Sequence, residues 1–170
     1  MNERKHQKLT IALLIIYLVT LTWIIVCKLE TNFTNLGAMR YRNINLIPYK
    51  NTAAMNGQVD TSELFMNVLA FVPFGIYVSM LYKNNNWIQK IIPIFGTSLL
   101  YEVLQYLFAI GATDITDLIN NTLGGILGIA LYVICSKIFR SKTTTIFQVL
   151  CSIGTLLMLA LLTLLIVTNL

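Results

Sequence analysis

The sequence predicts an all-α integral membrane protein, a bundle of about five transmembrane helices with a kinked second span and a re-entrant-like outer connection between spans three and four. Three observations predict it. Hydrophobic residues make up 56% of the 170 and charged residues only 11%, with a mean hydropathy of +0.73, whereas soluble domains carry about a quarter charged residues. Apolar runs recur at lengths near the roughly 20 residues a helix needs to cross hydrocarbon. The Lys and Arg residues fall in the connections, where they mark the side each connection occupies. The net charge of +5 therefore reads as topology and not as a nucleic-acid surface, because the basic residues are scattered among helix ends and loops.

The first span is LTIALLIIYLVTLTWIIVC, residues 9–27, preceded by Arg4, Lys5 and Lys8. It is too long for a signal-peptide core, and KLETNF after it offers no small-x-small cleavage site, so it reads as uncleaved. Residues 28–60 form a polar loop holding Lys28, Glu30, Arg40, Arg42, Lys50 and Asp60, with NINLIPYK at 43–50. The second span, about 62–82, contains Pro73. Its missing N–H leaves the Leu69 carbonyl without a helical partner, which predicts a kink or a broken helix. The third span covers about 88–110, the fourth about 117–139 and the fifth about 146–168, with SKTTT between the last two. The chain reads as one membrane domain with a core at 9–140 and an extra C-terminal span.

With the N-terminus in the cytoplasm, the inner segments carry eight basic residues (Arg4, Lys5, Lys8, Lys83, Lys90, Lys137, Arg140, Lys142) against four outside, all in the long first loop. This places a multi-pass chain in the plasma membrane with its C-terminus outside. Trp23 and Trp87 fall near span ends, where indoles anchor at the interface. Cys27, Cys135 and Cys151 lie in or beside apolar runs and His6 is the only histidine. Without CxxC or Cys/His spacing, neither a disulfide framework nor a zinc site is predicted, and no cofactor.

The polar residues inside the spans are the informative ones. Glu102 and Gln105 lie in the outer half of the third span, one turn apart and so on one face. Asn67 lies in the outer half of the second span, and Asp117, Asn120, Asn121, Gly124 and Gly128 make a stripe on the fourth. All point to one leaflet, as a polar cup open to the outside and roofed by the loop with Arg40, Arg42, Asn45 and Tyr49. An ionisable residue within a span costs roughly 2.5–3.5 kcal/mol on insertion scales, which makes Glu102 a functional candidate. The competing reading is that Glu102, Gln105 and Asn67 hydrogen-bond one another and only fix the bundle. Asp114 or Thr116 caps the fourth helix, which accounts for one of the two acids but not for Asp117 or the asparagine pair. The short connection GATDITD dips into the membrane only if protein or water lines it. The GxxxG spacing of Gly124 and Gly128 lets helices approach closely, and is expected to bring Asn121 and Asp117 against the third span.

In order, NLIPY (45–49), N-x5-PFG (67–75), E-x2-Q (Glu102, Gln105) and D-x2-D-x3-N-T-x-G-G (114–125) resemble the VanZ-like family. GATDITD and the LTWIIVCKL ending of the first span look particularly close to that family's teicoplanin-resistance member. The resemblance implies a membrane protein linked to lower susceptibility to teicoplanin and related lipoglycopeptides. It maps the family's recurring polar positions onto Arg42, Asn45, Pro48, Asn67, Glu102, Gln105, Asp114, Asp117 and Asn121. One departure is plain: many relatives carry an arginine just after the glycine of the third connection, where this chain has Ala112 and Thr113. Arg42 and Arg40 would then supply the positive charge from the loop.

Three classes of function follow. The first is a non-enzymatic resistance factor whose ligand-binding residues are Arg42, Asn45, Tyr49, Asn67, Glu102, Gln105, Asp114, Asp117 and Asn121. Its expected partner is a membrane lipid or a lipid-linked cell-wall precursor, with contact to the lipoglycopeptide drug. The second is an intramembrane enzyme acting on such a lipid, with Glu102 as general acid or base and Asp114 with Asp117 holding a hard cation or positioning a water. The third is a structural subunit whose polar stripes are interhelical glue. The absence of a Ser/His or Cys/His arrangement weighs against acyl-enzyme chemistry. Polar groups confined to one leaflet weigh against transport. The sequence favours the first class.

Overall fold

The computed structural model describes residues 3–26, 41–49 and 62–169. Cys27, Arg40 and the loop at 50–60 lie outside the described residues, as does the side chain of Arg42. The chain is helical, with α1 (Glu3–Ile25), α2 (Ser62–Leu81), α3 (Trp87–Phe108), α4 (Ile115–Phe139) and α5 (Thr143–Asn169). Two strands, β1 (Tyr41–Asn45) and β2 (Ile110–Asp114), pair in parallel with Asn45 opposite Asp114. Among the described residues, four stretches are long and apolar enough to cross a membrane: Arg4–Ile25, Leu64–Leu81, Trp87–Phe108 and Ile115–Leu164. The last includes α4, a 3-10 turn at Arg140–Lys142, and most of α5.

The parallel ribbon departs from the all-α expectation. Neither YRNIN nor IGATD alternates apolar and polar residues, and each strand's partner lies 69 positions away at the Asn45–Asp114 pair. Local pattern carries no signal for such a pairing. The connection between α3 and α4 is thus a strand, whose backbone groups on one edge are taken up by β1.

Local chemistry sets the helix ends. Asn86 and Gln89 form a capping box at the start of α3, each side chain taking the other's backbone N–H, so two free donors are satisfied reciprocally. At the other end Ala109 takes a left-handed conformation (φ 56) and returns its N–H to the Gln105 and Tyr106 carbonyls, which turns the chain directly into β2. Pro73 lies within α2, which runs unbroken from Ser62 to Leu81. The Tyr17 hydroxyl donates to the Ala70 carbonyl, three residues before that proline.

The bundle is built around α2 and α4, which run parallel and touch through glycine. A Cβ on Gly124 or Gly128 would collide with the Val68 or Val72 carbonyl, and one on Gly75 with the Gly125 carbonyl. Only hydrogen at these positions permits the approach. The sequence expected this approach to bring Asn121 and Asp117 against the third span. Asn121 does meet α3, at Ser98, but Asp117 bonds Asn67 of α2; Gly124 and Gly128 face α2, and Gly125 meets α3 at Ile94. Periodicity tells which residues share a face, not which helix lies opposite. Phe71, Tyr77, Ile94, Ile129 and Leu21 are fully buried between the helices, and Phe71 meets Tyr101 edge to face at 6.3 Å.

The two ends of the bundle differ. One holds the ribbon, the last turns of α1 and α3, and the first turns of α2 and α4. The other joins α1 to α5 through Gln148, which is buried. Its Nε2 donates to the His6 carbonyl (2.7 Å) and to Thr10 Oγ1 (2.8 Å). Its Oε1 consequently accepts from His6 Nδ1 at 2.6 Å.

Candidate functional site

At the ribbon end the polar side chains converge from three helices and both strands. Asp114 is the hinge. As N-cap of α4 it accepts from the Thr116 N–H through Oδ1 (2.8 Å), while Oδ2 accepts from Asn45 Nδ2 (2.9 Å). The capping expectation therefore holds, and the second oxygen does further work by fixing β1. The backbone N–H of Asp114 in turn donates to Glu102 Oε2 at 2.9 Å, and Thr113 Oγ1 donates to the Glu102 carbonyl at 3.1 Å. Glu102 is only 2% exposed, so a buried carboxylate is held against the strand that leads into α4. A charge-assisted bond from a backbone N–H is among the stronger ways to hold such a group.

Asn67, in α2, donates to Asp117 Oδ1 at 2.7 Å. Asp117 also lies in the first turn of α4, where the free N–H groups favour negative charge. Asn121, fully buried, donates to Ser98 Oγ of α3 at 3.0 Å. Tyr49 folds over the start of α4: its N–H donates to Thr116 Oγ1 (3.0 Å) and its hydroxyl to Asn120 Oδ1 (3.4 Å). Its backbone is left-handed (φ 59), a conformation that costs a non-glycine residue about 1 kcal/mol or more. The two bonds to α4 hold it there.

Glu102, Asn45 and Asp114 thus form one linked set, and Asn67 with Asp117 a neighbouring pair. Gln105 does not join them. Its Nε2 donates to the Ile25 carbonyl at 2.9 Å, closing the C-terminal end of α1, where carbonyls lack helical partners. Glu102, Gln105 and Asn67 therefore do not bond one another as the purely structural reading expected. Arg42 lies in β1 opposite Gly111. Thr116, Ser98 and Thr113 were missed as site residues. Ser98 was within reach of sequence reasoning, since it lies one turn before Glu102 on the same face of α3. Thr116 was read only as an alternative cap.

Three buried polar atoms of this end, Gln105 Oε1, Asn120 Nδ2 and Asn121 Oδ1, have no hydrogen-bond partner among the described residues. They supply two acceptors and one donor beside the carboxylates, a set suited to hydroxyl and amide groups. Among the described residues, no three His, Cys, Asp or Glu side chains converge as a metal-ligand set.

Apolar helices long enough to cross a membrane and a polar cluster gathered at one end define a polytopic membrane protein with a terminal polar site. The chain belongs to the VanZ/LLP1 family, whose profile matches residues 14–140. A relative, Protein VanZ of Enterococcus faecium, is 37% identical over 150 residues, covering 88% of each chain. No solved structure matches the chain.

Proposed function

We propose that this protein lowers susceptibility to teicoplanin and related lipoglycopeptides without catalysing a reaction, by reducing drug retention at the outer membrane face. The reading rests on family membership together with one observation: the hydrogen-bonded set Asn45, Asp114 and Glu102 and the bonded pair Asn67 and Asp117 lie side by side at one end of the bundle. In this reading the cluster faces outside and takes the hydroxyl- and amide-bearing part of a membrane lipid or lipid-linked cell-wall precursor. Asp114 has both oxygens engaged, in a cap and in Asn45, which disfavours it as half of a cation site with Asp117.

The topology belongs to the same proposal. The 50-residue stretch Ile115–Leu164 would span about 75 Å as one straight helix, against about 30 Å of hydrocarbon. The backbone leaves helical geometry at Arg140 (φ 47, ψ −119), and a hydrogen bond across that turn between the Tyr132 hydroxyl and Thr144 Oγ1 at 3.1 Å fits a reversal. We therefore take the stretch as two crossings, giving five in all, with the N-terminus cytoplasmic and a bend at Pro73.

The test is susceptibility of a sensitive host expressing wild type, Glu102→Gln or Asp117→Asn at matched membrane levels. Wild type is expected to protect against teicoplanin and not vancomycin, and both variants to lose at least half of that protection. Full protection by both variants would remove the cluster from the function.

A further inference from the structure

Away from the polar end, α1, α2, α4 and α5 enclose a cleft of about 340 Å³. Tyr17, Pro73, Tyr77, Leu131, Phe147 and Gly154 line it, and its wall is almost wholly apolar and partly open. Gly154 faces open space, with nothing within 4 Å of where a Cβ would lie. A cleft so lined does not hold water: even an enclosed apolar cavity of about 150 Å³ stays dry and takes up apolar guests instead. At this depth of a spanning bundle the surrounding solvent is hydrocarbon.

The rim supplies the second observation. Arg4, Lys5, Lys8, Lys137, Arg140 and Lys142 are exposed at the ends of α1, α4 and α5 next to this half of the bundle. The described acids Glu102, Asp114 and Asp117 all lie at the opposite end; Glu3, at the basic end, has a side chain outside the described residues. Clustered Lys and Arg beside a hydrophobic opening attract anionic headgroups.

We propose that the cleft holds one acyl chain of an anionic phospholipid whose headgroup rests on this basic rim. The site is separate from the polar cluster and does not depend on the drug-resistance reading.

The test uses the full chain in phosphatidylcholine nanodiscs doped, at equal mole fraction, with phosphatidylglycerol or phosphatidylcholine carrying the same photoreactive acyl chain. Crosslinks are mapped by mass spectrometry. The phosphatidylglycerol probe is expected to label residues 147–158 about fivefold more than the phosphatidylcholine probe, the factor one Lys or Arg near an anionic surface contributes. Gly154→Leu, which fills the cleft, should abolish that labelling. Gly96→Leu, at a second glycine with nothing within 4 Å but outside the cleft, should not. Equal labelling by the two probes, or full labelling of Gly154→Leu, overturns the proposal. Should Gly154→Leu fail to fold, Lys137→Gln combined with Arg140→Gln decides: both residues are exposed, and a headgroup preference undiminished from wild type overturns the proposal.

Discussion

Asp114 carries several contacts on one side chain and its own backbone N–H. It caps α4, anchors Asn45 of β1, and donates its N–H to Glu102. Asp114→Ala removes the cap and the anchor together and is expected to lower stability by about 0.5–2 kcal/mol, the range for losing a helix N-cap. Thermal unfolding in detergent reads this directly, and Asp114→Asn, which keeps an acceptor for the Thr116 N–H, should recover most of the loss. An alanine variant as stable as wild type would show that the cap is redundant. The sequence made Glu102 and Asp117 conspicuous, because charge at such depth is costly unless paired, and it suggested the cap. It did not reveal that Glu102 is paired with a backbone N–H, since that contact exists only once β2 lies alongside α3. Nor did it show that Gln105, one turn from Glu102, serves a different helix.

The elements are held apart and together by glycine. Because α2 and α4 meet through bare backbone, Gly124→Ala and Gly128→Ala each push the pair apart against the Val68 and Val72 carbonyls. Each is expected to cost about 1–3 kcal/mol, as overpacking does, and to move Asn67 away from Asp117. Gly96→Ala, with open space around it, should leave stability unchanged or slightly raised. Melting temperatures of the three variants in one detergent separate these outcomes; equal values would remove the glycine contact from the account. The helices and their approximate limits were legible because a run of apolar residues of spanning length has few other readings. The strands were not, because five polar-rich residues offer no periodicity and their pairing is decided by distant chain.

At the scale of the molecule, the described residues separate by charge: exposed basic side chains at one end, the buried Glu102 with the half-buried Asp114 and Asp117 at the other. With the proposed five crossings, an alkaline phosphatase fused after Leu170 is active outside the cell, and a cysteine at position 141 is labelled only from the cytoplasm. Four crossings would silence the fusion. The distribution of Lys and Arg alone gave the orientation expected here, while the family match at 14–140 gives no orientation for the last helix.

The parallel ribbon has a consequence for how the molecule is made. Its strands are separated in the chain by α2 and α3, so β1 leaves the ribosome well before the segment that completes its ladder exists. Closing a loop of that length is entropically unfavourable for a free chain. Here two threaded helices, running out and back, return the chain to the place where β1 waits. The ribbon is accordingly a late event, and Asn45, Asp114 and Glu102 can come together only after it. A chain arrested after α3 has three of its apolar helices but lacks the strand that pairs with β1 and the helices that follow it, so biogenesis itself separates insertion from competence.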